Sequence, residues 1–430
     1  MSEPKAPDTP TRQGGLFRRG GLAAGLIATL TACLPSLELP IPAPMGRFPV
    51  GVTQQTLAAP TPADTARVLT LDIWYPARDT TGYPRAPYTE NALNDALSQQ
   101  FRMPRFMFSE VPSYSHREAP AVPGPHAVVI FNHGYAAFSA QNVSTFQELA
   151  SHGYLVVSLA HPGDSLLSRD AEGKAIPFDA ESDTHRVVQR LQNDMTAYAQ
   201  RLAPRLEGQR QAQTPQAYAR ASAELGQDPQ FVALRPQIAR WVEDTRTVVA
   251  ALRGDRRPGI LREADGENLT VMGHSLGGLV AMRLACEPVE GLRGIINLDA
   301  PWFQDDPEAT IRPRVPSLNL LSTHYVLAKQ DLASHGTLHG LYRESAVGAH
   351  VLEVKGSAHY NFTDLNFVPA LKMTPMLGPV DNRRMAQLQN EAIREFLRRT
   401  TRGEGALYAP LLPTQSELEQ HVFPGRPEGA

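Results

Sequence analysis

The chain has 430 residues, of which 42% are hydrophobic and 20% are charged, and its net charge is −3. This composition is that of a globular protein with a sizeable core, and the balanced charge excludes a strongly basic nucleic-acid-binding surface. The two cysteines, Cys33 and Cys286, are too few for a disulfide framework, and no cluster of further Cys or His ligands accompanies them. The sequence therefore predicts neither a metal site nor a cofactor.

The N-terminus has the pattern of an export signal. Arg18 and Arg19 precede an apolar run, residues 20–30, which is too short to span a membrane stably but suits a signal-peptide core. The run leads into Leu-Thr-Ala-Cys, which resembles a bacterial lipobox with Cys33 as the lipidated residue. We expect an exported protein, periplasmic or anchored to a membrane by this lipid, or else secreted. The alternatives are an ordinary cleaved signal peptide, with Cys33 incidental, and a twin-arginine signal.

The chain after the signal divides by composition. A proline-rich, semi-rigid stretch follows the signal, then a long region with alternating element patterns, then a polar C-terminal stretch. We predict a signal peptide with lipobox at 1–33, a linker at 34–46, one folded domain at 47–400 and a tail at 401–430.

Strands alternate with helices along the folded domain. Residues 67–75 alternate apolar and polar side chains, whereas 126–131 and 154–159 are nearly continuous apolar runs, typical of strands buried on both faces. The same patterns predict further strands at 269–272, 294–298, 317–321 and 350–354, and helices at 142–152, 238–253 and 384–399. Such alternation indicates a mostly parallel central sheet flanked by helices.

The alternation is interrupted by a polar segment, residues 165–235, rich in Gln, Arg and Ala. Apolar side chains recur in its first half at helical spacing. We interpret the segment as a helical insertion that forms a partial lid, with a solvated surface excursion as the alternative.

One serine stands where a predicted strand meets a predicted helix. Gly273-His274-Ser275-Leu276-Gly277 has the G-x-S-x-G spacing of a nucleophile elbow, in which a sharp turn exposes the serine hydroxyl at the start of a helix. The free N–H groups of a helix N-terminus favour developing negative charge there. Because the flanking elements fit, we predict Ser275 as a nucleophile rather than a surface serine in a glycine-rich turn.

A serine nucleophile needs a base and an acid that orients the base. Asp299 directly follows the predicted strand 294–298, and His359 lies in a loop of small and polar residues after the last predicted strand. His324 is the main rival for the base. The chain order Ser275, Asp299, His359 is that of an α/β-hydrolase, which is the fold that we predict.

The reaction also needs N–H donors for the oxyanion. In this fold one donor is the residue after the nucleophile, here Leu276, and the other follows the third strand. The sequence "FNHGYAAF" begins at the end of such a strand, at Phe131, and the backbone N–H of Tyr135 is the candidate. His133, which precedes the triad residues in the chain, is predicted to be structural.

Several segments together resemble the platelet-activating factor acetylhydrolase family: "FNHGYAAF", "ASHGYLVVSLAHPGDS", "GHSLGG", "INLDAPWF" and "GSAHYNF". The resemblance covers about residues 46–399. It implies a Ser275–Asp299–His359 triad, Tyr135 and Leu276 as oxyanion donors, and metal-independent hydrolysis of short or oxidised acyl esters. Two departures are Pro301, which delays the aromatic residue after Asp299, and Tyr135 in place of an aliphatic residue.

The leading functional hypothesis is thus a serine carboxylic-ester hydrolase that acts on a small-molecule or lipid ester, including phospholipid sn-2 acyl groups. Four aromatic residues are candidates for its pocket wall, with ordinary core packing as the alternative: Phe138, Trp302, Phe303 and Phe362. The competing hypotheses are a general carboxylesterase or polyester hydrolase, and a catalytically silent surface-binding protein with the same fold. The sequence does not predict the oligomeric state.

Overall fold

A computed structural model describes residues 41–102, 104–105, 112–309, 311–323, 336–343, 345–368, 371–372 and 376–425. The predicted signal peptide, Cys33 and His324 lie outside these residues. Within the described ranges, no helix combines the length and apolar character needed to cross a membrane.

An eleven-stranded sheet forms the centre of the molecule, in the order β13-β12-β11-β10-β9-β5-β6-β2-β1-β4-β3. The six strands from β12 to β6 are mutually parallel, β2 and β13 pair antiparallel at either side of them, and a separate two-stranded ribbon is formed by β7 and β8. The strands are β1 Val50–Ala58, β2 Val68–Pro76, β3 Arg85–Pro87, β4 Pro112–Arg117, β5 His126–Asn132, β6 Leu155–Ala160, β7 Leu167–Arg169, β8 Ala175–Pro177, β9 Ala264–His274, β10 Leu292–Leu298, β11 Ser317–Ser322, β12 Ala349–Val354 and β13 Leu418–Phe423. The mostly parallel sheet confirms the predicted fold class.

The helices pack on both faces of this sheet. They are α1 Asn91–Phe101, α2 Val143–Ser151, α3 Asp183–Gln192, α4 Met195–Gln211, α5 Pro215–Gly226, α6 Pro229–Arg253, α7 Leu276–Ala285, α8 Gly336–Tyr342 and α9 Asn382–Arg402. Along β5, Val128 and Ile130 join the core under α6 and α7, whereas Val129 and Phe131 join the core under α2 and α9. Successive strand residues point to opposite faces, so a strand covered on both sides is apolar throughout.

The insertion is more ordered than its polar composition indicates. It begins with the β7–β8 ribbon and continues through α3, α4 and α5, and Leu202, Tyr218 and Leu225 are buried in the core on the α6–α7 face. The predicted C-terminal boundary of the insertion, residue 235, must be corrected. The helix predicted from residue 238 already begins at Pro229, because Asp228 caps it and proline is favoured at the first helical position.

Both ends of the folded domain also need correction. Strand β13 lies within the predicted tail, 401–430, yet it pairs along its whole length with β12 and forms an edge of the sheet. The end of the predicted linker is likewise fixed to α2, because the Met45 and Gly46 N–H groups donate to Glu148 and Ser151 at 2.7 and 2.9 Å. Backbone pairing on an edge strand needs no apolar pattern, so no local pattern predicts β13.

Candidate active site

Ser275 occupies a strained turn between β9 and α7. Its backbone angles are φ 54° and ψ −119°, a conformation that costs a non-glycine residue energy and persists only when its surroundings enforce it. The Ser275 N–H donates to the Leu298 carbonyl at 2.9 Å, which ties the turn to the end of β10. The hydroxyl therefore stands at the carboxyl edge of the parallel strands, above the N-terminus of α7.

The glycines around Ser275 are required by close backbone contacts. A Cβ atom on Gly277 would lie 2.1 Å from the Asn132 carbonyl oxygen, and one on Gly273 would lie 2.1 Å from the backbone of Gly277. No side chain fits at such distances, so α7 begins directly against the ends of β9 and β5. This steric requirement is the physical basis of the G-x-S-x-G spacing.

Asp299 follows β10 and is held by three hydrogen bonds. It accepts from the Ser322 N–H at 2.7 Å, from the Ser322 hydroxyl at 2.9 Å and from His359 Nδ1 at 2.8 Å. Burial alone would raise the pKa of Asp299, but the hydrogen bond and charge of His359, together with Ser322, hold it below its usual value. The group is therefore an anion that fixes one nitrogen of the His359 ring.

His359 begins a short 3₁₀ turn after β12, and 39% of its side chain is exposed. With Nδ1 bound to Asp299, its Nε2 is the nitrogen left for proton transfer. The ring lies against His274, the residue before Ser275, with ring centroids 4.5 Å apart. Among the described residues no hydrogen bond joins the Ser275 hydroxyl to His359, and such contacts commonly tighten only when substrate binds.

His274 supports this arrangement from beneath. Its Nε2 donates to the His359 carbonyl at 3.0 Å, which attaches the 3₁₀ turn to the end of β9. Burial, with the neighbouring His359, lowers the pKa of His274 to about 3, so its imidazole is neutral. Sequence reasoning missed this role and that of Ser322, because neither contact follows from spacing along the chain.

The loop that carries Tyr135 lies directly over the elbow. A Cβ atom on Gly134 would lie 3.0 Å from His274 and 3.4 Å from the Ser275 Cβ atom. The loop is fixed by Gln141, whose side-chain oxygen accepts from the Gly134 N–H at 3.1 Å. In the described part of the chain, the N–H groups of Tyr135 and Leu276 have no protein acceptor. Both donors are thus available near Ser275.

The side chain of Tyr135 connects this loop to the insertion. Its hydroxyl lies 2.9 Å from His185 Nδ1 on α3, and its ring packs against His185 and, edge-on, against Phe178. The insertion therefore contacts the candidate active site through a residue whose backbone is itself part of that site.

The four aromatic residues predicted for the pocket wall are buried in the core. Their exposed fractions do not exceed 2%: Phe138, Trp302, Phe303 and Phe362. Gln209 of the insertion donates to the Trp302 carbonyl at 2.7 Å, and Phe303 packs on Phe231. None of the four lines the cleft between β1, β2 and residues 86–90, and that cleft does not include Ser275 either. Core packing, the alternative for these residues, describes the structure.

Other side chains of interest lie away from Ser275. His133 and His161, on the loops after β5 and β6, are fully buried. Burial lowers the pKa of His133 to about 3. In the described ranges, one group of side chains has donor atoms spaced for a metal ion, all within 4.8 Å of each other. The group lies on β12 and β13 and consists of Glu353, Glu419 and His421.

A buried carboxyl, Asp364, fixes the far end of the His359 loop to the start of α2. It accepts hydrogen bonds from the Ser144 N–H, at 3.0 Å, and from the Ser144 hydroxyl. Burial raises the pKa of Asp364 to about 7. Between pH 4 and 7 the unfolded chain loses this proton while the folded chain keeps it, so stability falls as pH rises.

We expect Asp364→Asn to remove this pH dependence, because an amide cannot ionise. The free energy of unfolding of the parent protein should contain a component of up to about 4 kcal/mol that is lost from pH 4 to 7. Denaturant unfolding at several pH values measures it in both proteins, with Asp305→Asn on the surface as the control. Equal slopes in the parent and Asp364→Asn would contradict the expectation.

The fold and the site define an ester hydrolase of the α/β-hydrolase class. The family model described as platelet-activating factor acetylhydrolase, isoform II, matches residues 35–203 and 259–404. The chain belongs to this family. The unmatched stretch between the two parts runs from inside α4 to the residues just after α6, so the chain departs from the family model in the second half of the insertion and in α6.

One curated relative agrees with this family, and one solved structure agrees with the fold. The platelet-activating factor acetylhydrolase of Cavia porcellus is 23% identical over 346 residues, which are 76% of this chain and 72% of the relative. A solved structure, the ferulic acid esterase from Streptomyces cinnamoneus, superimposes with a TM-score of 0.63 at 20% identity and covers 88% of this chain and 98% of its own. At that identity the second likeness establishes the fold alone.

Proposed function

We propose that the protein hydrolyses carboxylic esters with short or oxidised acyl groups through an acyl-enzyme on Ser275. The observation that carries the proposal is the 2.8 Å contact between His359 Nδ1 and Asp299. The His359 ring also packs against His274, the residue before Ser275. This is the arrangement that a serine hydroxyl needs, because a free hydroxyl is a weak nucleophile without an oriented base.

The reaction proceeds in two halves. His359 Nε2 takes the proton of Ser275 as Oγ attacks the ester carbonyl, and then gives it to the leaving alcohol, which leaves the acyl group on Ser275. In the second half His359 deprotonates a water, which attacks the acyl-enzyme; the bond between the acyl carbon and Ser275 Oγ then breaks, and His359 returns the proton to Oγ as the acid is released. Asp299 stays ionised throughout, and its charge stabilises the imidazolium that forms in each half.

The tetrahedral intermediates carry negative charge on the former carbonyl oxygen. The N–H groups of Tyr135 and Leu276 donate to this oxygen, and the N-terminus of α7 adds a favourable dipole. Loss of one such donor typically raises the barrier by about 2.7–4 kcal/mol. A fixed loop matters here, because donors that are already in position need no reorganisation as the charge develops.

The acyl preference rests on the family. The relative from Cavia porcellus is named an acetylhydrolase, and acetyl is a short acyl group. The insertion, as a partial lid, also supports a selective entrance. Its residue His185 contacts Tyr135, whose loop supplies one of the oxyanion donors. A rate that depends on acyl length is the direct consequence.

A graded ester panel tests this proposal. With p-nitrophenyl esters and with phospholipids that differ only in sn-2 chain length, we expect kcat/KM to be highest for two to four acyl carbons and to fall at least about tenfold by eight carbons, since each surplus methylene must fit or be excluded. In parallel, a phosphonate ester should label Ser275, as peptide mass spectrometry would reveal.

The Ser275→Ala protein is the matched control for both measurements. A maximum at long chains would contradict the acyl preference while leaving the esterase in place. Absence of labelling at Ser275 and of turnover on every ester would instead favour the catalytically silent protein.

A further inference from the structure

A second Asp–His pair lies one strand away from the candidate active site and is wholly buried. His161, in the loop after β6, has no exposed surface, and its Nδ1 lies 2.8 Å from Asp244 of α6, which is 4% exposed. Its geometry resembles that of Asp299 and His359, but neither side chain can reach a substrate. The pair can therefore act only on other parts of the protein.

The acidic partner is firmly fixed. Arg67, just before β2, forms two hydrogen bonds with the Asp244 carboxylate, at 2.6 and 2.8 Å. Two parallel bonds of this kind define the orientation of both groups. Burial alone would raise the pKa of Asp244, but hydrogen bonds from His161 and Arg67 lower it below its usual value. The carboxylate is thus a fixed anion to which His161 Nδ1–H is bound.

The ring of His161 is also held across its face. It stacks on Trp241 of α6 with centroids 4.0 Å apart and planes inclined by 7°. His133 packs against the same indole in a T-shaped arrangement, with ring centroids 4.8 Å apart, and His133 Nε2 lies 2.5 Å from the Ser165 hydroxyl. His161 therefore has a single defined position, and His133, the first residue of the loop that leads to Tyr135, is fixed by the same indole.

The other nitrogen of His161 faces the end of β5. His161 Nε2 lies 3.1 Å from the Asn132 side-chain oxygen, and the Thr245 hydroxyl lies 3.0 Å from the same atom. The Asn132 carbonyl is in contact with Gly277, as the 2.1 Å approach of a Cβ atom there demonstrates. Asn132 is thus linked to both oxyanion donors. Tyr135 follows it by three residues in the chain, and Leu276 immediately precedes Gly277, which the Asn132 carbonyl contacts.

We infer that His161 is a positioning residue for the oxyanion hole, acting through Asn132. The chain Arg67–Asp244–His161 fixes Asn132 from α6 and β2, and Asn132 sets the distance between the N–H groups of Tyr135 and Leu276. The inference rests on the proposed function, since it assigns a role within the same reaction. A displacement of about 1 Å in such a site can cost a factor of about 100 in rate.

Two substitutions at residue 161 separate positioning from packing. An asparagine places its amide nitrogen near the position of Nδ1 and retains the bond to Asp244, whereas a glutamine reaches the position of Nε2 and retains the bond to Asn132. Both remove the ring from Trp241, so they are matched in lost packing. We expect His161→Asn to lower kcat by about 30- to 100-fold with KM within about threefold. His161→Gln should stay within about threefold of the parent kcat.

A tetrahedral analogue gives a second readout. The affinity for a trifluoromethyl ketone, whose adduct oxygen occupies the oxyanion hole, should fall in His161→Asn in parallel with kcat/KM and stay near the parent value in His161→Gln. Equal loss of kcat in the two variants, or no loss in either, would overturn the inference.

Two further variants keep the outcomes distinct. If the residue 161 variants do not fold, Thr245→Val, which removes one hydroxyl next to Asn132 at nearly constant shape, should lower kcat about fivefold with unchanged KM; an unchanged kcat would then refute the inference.

Ser275→Ala reports on the proposed function itself. Activity that survives this change would refute the nucleophile, whereas its loss, with equal effects at residue 161, would refute the positioning role alone.

Discussion

Replacement of Ser275 by alanine is expected to lower kcat for ester hydrolysis by about 10⁶-fold, which corresponds to about 8 kcal/mol in the barrier. Without the hydroxyl no acyl-enzyme forms, and His359 has no proton to take. The residual rate should come from water attacking an ester held by the Tyr135 and Leu276 N–H groups. Steady-state kinetics on p-nitrophenyl acetate, with active-site titration to exclude traces of parent enzyme, measure the effect.

The fold should survive this substitution. The contact that ties the turn to β10 is made by the Ser275 N–H, which alanine retains, and the turn is enforced by the glycines on either side. We expect Tm to change by no more than about 3 °C. Turnover within about tenfold of the parent, in a folded protein, would mean that another residue is the nucleophile.

Replacement of His359 by alanine is expected to be nearly as severe as loss of Ser275, because members of a triad act as a unit and not additively. Asp299 keeps its two hydrogen bonds from Ser322 in this variant, so the buried carboxylate is not left without partners. The loss of kcat should therefore arise from the missing base. Phosphonate labelling of Ser275 should slow by a similar factor, which tests the activation of the hydroxyl independently of ester turnover.

His324 provides the matched control, since it was the main rival for the base. Its replacement by alanine should leave at least about half of the parent kcat, because Asp299 is bound to His359 Nδ1 and the proposed proton transfer does not use His324. A severe loss of kcat in His324→Ala, together with a mild loss in His359→Ala, would mean that His324 is the base and that the contact between Asp299 and His359 does not serve catalysis.

Much of this molecule follows from local sequence. The apolar runs at 126–131 and 154–159 predict strands buried on both faces, and the glycines around Ser275 predict a turn that no other residue type fits. These features are local: a strand pattern, a helix start and a sharp turn are each specified by residues within a few positions of one another. The order Ser275, Asp299, His359 then limits the fold to one class.

The positions of the aromatic residues near the site do not follow from local sequence. Trp302 and Phe303 follow Asp299 closely, which made a pocket wall a natural expectation. In the structure they pack beneath the insertion, where Gln209 and Phe231 cover them. Whether an apolar side chain faces a substrate or the core depends on which distant element lies above it, and no local pattern encodes that.

By itself, then, the sequence determined the fold class, the succession of most strands and helices, and the family, and it indicated the candidate residues of the site. Tertiary structure alone decided that Ser322 orients Asp299, that the segment 418–423 completes the sheet, and that Arg67, Asp244 and His161 meet at Asn132. Those last four side chains are separated by up to 177 positions in the chain. Asn132 and His161 lie at the carboxyl ends of the neighbouring parallel strands β5 and β6, Arg67 precedes the antiparallel strand β2 beside them, and Asp244 lies on the helix α6. These elements meet at one edge of the sheet, where hydrogen bonds form between residues whose spacing carries no periodic signal.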